Sequence, residues 1–97
     1  MFYINQAHDS YNLIKEEILF IRRRKLYEES EETEVIVAFK SFYNKDDVDY
    51  LTIESFKEDT LVEFFIEWLS NTLSWNIQPV CTFKDFKTEY DTSHRQE

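Results

Sequence analysis

The chain contains no glycine in its 97 residues, and this absence constrains it more than any residue it holds. Glycine is the default wherever a backbone must turn left-handed or let another group approach closely. Phosphate-cradling loops, the nucleophile elbow and the EF-hand turn each depend on such a position. Most motif-defined enzyme classes therefore drop out. The residues that remain do not assemble a nucleophile, a base and a charge stabiliser, so a non-enzymatic protein without a cofactor is expected.

A chain of this length buries only about 60 to 65 % of its unfolded surface, which suits one core rather than two. Seventeen aromatics, nine Phe, six Tyr and two Trp, supply enough bulky apolar material to offset the entropy of ordering. Twenty Asp and Glu against eleven Lys and Arg leave a net charge of −9. That excess repels nucleic-acid phosphates and anionic membranes, so neither is expected as a direct ligand. The single cysteine, Cys81, cannot make an internal disulfide, and no apolar run reaches the roughly 20 residues that span a bilayer. Met1 to His8 lacks a signal-peptide pattern, and a soluble, cytoplasmic protein is expected.

From Ser10 to Arg24, Tyr11, Ile14, Ile18 and Ile21 recur at spacings of three and four, widened by Leu13 and Phe20. This predicts an amphipathic helix with Asp9 as N-cap, its last turn carrying Arg22, Arg23, Arg24 and Lys25. A short strand is expected over Lys25 to Glu28, then an acidic loop to Thr33. Glu34 to Tyr43 and Val48 to Ser55 are rich in β-branched and aromatic residues and predict a hairpin joined through Asn44, Lys45, Asp46 and Asp47. Val35, Val37 and Phe39 should share one face with Leu51 and Ile53. Ser55 with Glu58, or Thr60 with Glu63, marks a helix start, and Leu61, Val62, Phe65, Ile66, Leu69 and Leu73 form its stripe. Phe83, Phe86, Lys87 and Tyr90 predict a last short helix, with a frayed tail from about Asp91. The whole reads as one α+β domain over residues 1–97, helix, small antiparallel three-stranded sheet, then two helices (αβββαα).

The basic quartet at 22 to 25 reads as a helix end rather than a phosphate site, and His8 and His94 as surface residues. Cys81, in an apolar setting, reads as a small buried residue. Trp68 and Phe64 should pack on the last helix through Phe83 and Phe86, although a homodimer through Phe64, Trp68 and the sheet edge stays open. The carboxylates cluster at Glu28 to Glu34, at Asp46, Asp47 and Asp49, and from Glu54 to Glu67. A solvated face is the plain reading. Metal binding at Asp46, Asp47 and Asp49 is disfavoured because EF-hand spacing is missing. The sharper reading is that the two clusters flanking the first long strand present fixed negative charge to an Arg- and Lys-lined groove.

Tyr50 to Asn71, YLTIESFKEDTLVEFFIEWLSN, resembles the equivalent stretch of the small acidic phage anti-CRISPR proteins that inhibit the type II effector nuclease. Tyr50, the Glu54-Ser55 pair, Glu58, Leu61-Val62-Glu63, Phe65-Ile66 and Asn71 carry the resemblance, with a one-residue gap. The expected element order is similar to that family's as well. In that family the inhibitor occupies the site that reads the protospacer-adjacent motif, its acidic residues replacing DNA phosphates and base edges. By position, the resemblance implies Asn44, Asp46, Asp47 and Asp49 as the matching acidic connection. The chain departs from the family at Trp75 to Val80, where the family has a dense acidic run, and only Asp85 and Glu89 follow.

The expected function is thus inhibition, in a host bacterium's cytoplasm, of a nuclease whose basic nucleic-acid-binding surface the protein occupies. Asp46, Asp47 and Asp49 lead the expected contacts, followed by Glu31, Glu32, Glu34 and Glu89. The alternative partner is a basic nuclease toxin neutralised by a cognate immunity protein.

Overall fold

A computed structural model of the chain describes residues 1–25, 27–41, 43, 46–75 and 79–93. The elements are β1 (Phe2–Ile4), β2 (Ser10–Asn12), a 3-10 turn (Lys15–Glu17), β3 (Ile18–Arg24), β4 (Thr33–Lys40), β5 (Val48–Phe56), α1 (Asp59–Trp75), β6 (Val80–Thr82) and α2 (Phe83–Ser93). An antiparallel sheet in the order β3-β4-β5 and both carboxyl-terminal helices agree with the α+β expectation.

The amino-terminal helix does not form. Residues 10–24 instead supply β2, the 3-10 turn and β3, so the αβββαα order is replaced. The reason lies in a bulge. Ile18 pairs with Phe39 and Phe20 with Ala38, which leaves Leu19 as an extra residue on β3. The bulge separates the inward-facing Ile18 and Ile21 by three residues instead of two, and a spacing of three imitates a helix. The β-branched isoleucines then favour the strand. β3 ends at Arg24, so the expected strand at Lys25 to Glu28 is displaced upstream.

The basic quartet consequently sits at a strand end, not a helix end. Alternation points Arg23 toward α1, where it meets Glu63 at 3.0 Å and Asp59 at 3.6 Å. Arg24 turns to the other face and pairs with Glu34 at 3.2 Å. Lys25 reaches Asp59 at 4.0 Å.

β4 and β5 form the predicted hairpin ladder. Val35, Val37 and Ile53 are buried, and Phe39 and Leu51 pack against the same cluster. α1 crosses this face and buries Val62, Phe65, Trp68, Leu69 and Leu73. Phe65 lies at the centre, its ring 5.2 Å from Phe56, 5.1 Å from Phe86 and 5.6 Å from Tyr3. Ser55 belongs to β5 and donates to Glu32, so the Ser55–Glu58 capping box is not used.

A second sheet stands outside the αβββαα expectation. It has the order β2-β1-β6, with β1 and β2 antiparallel and β1 and β6 parallel, Tyr3 opposite Cys81. Cys81 is buried there, and burial pushes its thiol pKa up. In a chain without glycine the β1–β2 turn still needs a left-handed residue, and His8 takes it at φ 66°. Asn5 steadies this turn, its Oδ1 accepting from the amides of Ala7 and Asp9 at 3.0 and 2.9 Å.

Candidate partner-binding surface

The hairpin sheet carries carboxylates at both ends. Glu31 and Glu32 precede β4, and both are exposed. Asp46 and Asp47 lie in the β4–β5 connection and Asp49 on the first turn of the ladder, all three exposed. The Ser41 amide donates to the Asp47 carbonyl at 3.1 Å, which closes that connection. Asn44 lies outside the described residues, as does His94.

β4 separates the two ends by on the order of 24 Å along the strand. The predicted contacts therefore divide. Asp46, Asp47 and Asp49 come together, Glu31 and Glu32 form a distant second group, and Glu89 stands apart on α2. Within the second group Glu32 accepts from the Ser55 hydroxyl at 3.2 Å. Glu34 is half-buried and engaged by Arg24, so it is the least available of the predicted residues.

The sheet face turned away from α1 adds an unexpected feature. Ile36 and Ala38 are fully buried there, under side chains from the neighbouring strands. Phe20 and Tyr50, opposite Ala38 on either side, approach to 6.3 Å between ring centroids. The Arg22 guanidinium lies 5.0 Å from the Phe20 ring centre and 6.0 Å from that of Tyr50. Its charge is therefore held on aromatic faces. Val48, Tyr50 and Tyr43 stay exposed beside the Asp46 to Asp49 cluster, so this end offers aromatic surface and negative charge together.

One carboxylate grouped with the solvated ones belongs inside. Glu54 is only 5 % exposed. A second bulge makes Val35 pair with Glu54 and Ile36 with Thr52, which leaves Ile53 extra and swings Glu54 to the core side. Tyr3 donates its hydroxyl to Glu54 at 2.6 Å. Gln6 donates from its side-chain amide at 2.9 Å and from its backbone at 3.3 Å. Burial first, and then its own hydrogen bond to Glu54, drive the Tyr3 pKa far above the ordinary tyrosine value. Asn5 takes the Ile53 carbonyl at 3.0 Å. Strand alternation alone places Glu54 outward, and no local signal in the sequence corrects it. Glu54 thus clamps one sheet to the other.

Trp68 packs on Phe86 at 5.6 Å, as expected, while Phe64 meets Tyr90 at 5.3 Å. Among the described residues, no group of three or more His, Cys, Asp or Glu could hold a metal ion. No helix among them is long and apolar enough to cross a membrane. Comparison with known proteins finds no family model, no curated protein and no solved structure that matches the chain.

Proposed function

We propose that the protein is a non-enzymatic acidic inhibitor that docks on the basic nucleic-acid-binding surface of a host defence nuclease and blocks DNA access by mimicry. The supporting observation is the charge layout. Arg23, Arg24 and Lys25 meet carboxylates within the fold and Arg22 lies on aromatic rings, and Asp46, Asp47 and Asp49 are exposed together at the end of the β4–β5 ladder. Fixed negative charge of this kind steers encounter with a basic groove and gives the encounter a salt dependence. The exposed Tyr43, Tyr50 and Val48 supply contact area beside it.

A second reading is an immunity protein for a basic nuclease toxin, which draws on the same exposed carboxylates and needs no anti-CRISPR resemblance. The element order that the anti-CRISPR resemblance implies is replaced by a two-sheet architecture, so the resemblance rests on residues 50–71 alone. The test is competition for labelled target DNA on a guide-loaded type II effector nuclease, at low and moderate salt. The expected result is loss of bound DNA, weaker at the higher salt and weaker again for the Asp46→Ala, Asp47→Ala double variant. Undisturbed DNA binding and cleavage would remove the effector nuclease as the partner. Rescue of cells from a basic nuclease toxin would then carry the immunity reading.

A further inference from the structure

The seam between α1 and α2 opens into two adjoining cavities of about 250 and 630 Å³, which share Trp68, Asn71 and Glu89. The floor is aromatic, built on Trp68 and Phe86, and Trp75 stands at its end 72 % exposed. Its charged lining is all of one sign: Glu67 from α1, Asp85 and Glu89 from α2. No Lys or Arg among the described residues lines either cavity. Lys87 lines a different cavity with His8, pairs with Asp91 at 3.7 Å and lies 5.4 Å from the ring centre of Tyr90 at the groove's edge.

Asp85 has a local reason for its place, since it accepts from the Thr82 amide at 2.8 Å and so caps α2. Glu89 has none. One turn further on, it repeats the charge of Asp85 at a spacing where like charges destabilise a helix. An exposed indole beside carboxylates matches the needs of a guanidinium, which stacks on an aromatic plane and takes carboxylate oxygens at its edge.

We propose that this groove captures an extended segment of a protein partner through an arginine side chain, stacked on Trp75 and paired with Glu89. The inference rests on the reading of the protein as a binder of a basic partner and gives that partner a second contact, away from the hairpin. Ammonium is the poorer fit, because a lysine cannot pair edge-on while stacking.

The chain's only two tryptophans, Trp68 and Trp75, both line the groove, so tryptophan emission reports on it directly. Titration with N-acetyl tetra-arginine amide should change that emission, and tetra-lysine amide of equal charge should bind several-fold more weakly. Glu89→Gln should weaken tetra-arginine binding about tenfold, the loss expected for one charge-assisted contact. Trp75→Ala, followed by calorimetry, should reduce it comparably. Both residues are exposed, so neither variant threatens the fold. Equal affinity for the two peptides, or unchanged binding by Glu89→Gln, would overturn the proposal. An equal loss in the Asp46→Asn, Asp47→Asn variant would do so too, since it marks diffuse attraction. DNA displacement that persists when the peptide ignores the groove would remove the groove alone and leave the hairpin reading standing.

Discussion

Asp49 and Glu54 stand on the same strand, five residues apart, and have opposite fates. Asp49 is exposed at the connected end of the hairpin, beside Asp46 and Asp47. Glu54 is buried at a bulge, accepting from Tyr3 and Gln6. Identical chemistry thus faces solvent at one end and joins the two sheets at the other. What separates them is the supply of donors. A carboxylate enters a core only where hydrogen bonds replace its water, and the β2-β1-β6 sheet with its β1–β2 turn delivers them at Glu54.

The largest effect is expected at Glu54. Glu54→Ala strands the Tyr3 hydroxyl and the Gln6 amide, and should cost about 3 kcal/mol in urea unfolding, with sheet-to-sheet docking lost first. Hydrogen exchange at Tyr3 and Cys81 should then rise ahead of exchange in β4. Tyr3→Phe removes one donor while Gln6 remains, and should cost about 1 to 2 kcal/mol in the same measurement.

Asp59 is intermediate, an exposed carboxylate with a specific donor. The Thr33 hydroxyl at 2.6 Å holds its pKa below the usual value, with Lys25 and Arg23 adding to the effect. A lowered folded pKa contributes stability above the unfolded pKa, and that contribution is lost as pH falls through the folded value. Thr33→Val should therefore raise the Asp59 pKa in an NMR titration and flatten the acid limb of stability. Smallest of all, Asp46→Asn with Asp47→Asn should change stability by at most about 0.5 kcal/mol. A larger loss would mean that these residues hold the hairpin together, which would erase the contrast with Glu54.

The legible parts of this fold are those whose period is undisturbed. β4 alternates Val35, Ile36, Val37 and Ala38 between two faces, and α1 repeats Val62, Phe65, Leu69 and Leu73 at helical spacing. Both elements could be read in place. β3 has the spacing of a helix because its bulge turns a period of two into a spacing of three, and Glu54 has the alternation of a solvent-facing residue because a second bulge reverses its face. The acidic hairpin end was legible because it is local: Asp46, Asp47 and Asp49 are neighbours in the chain. The α1–α2 groove was only half legible, since its aromatic seam follows from helical stripes but the approach of Glu67, Asp85 and Glu89 depends on how the helices cross.

The β4–β5 hairpin and both helices follow from residues close together in the chain, and the acidic excess and the lack of glycine-dependent sites follow from composition alone. Tertiary structure alone decided the parallel pairing of β1 with β6, the strand over residues 18–24 and the burial of Glu54. The Tyr3–Glu54 bond spans 51 residues, and its energy exists only once both sheets are in place. No local pattern records such a contact, since neither partner finds the other until the chain between them has folded.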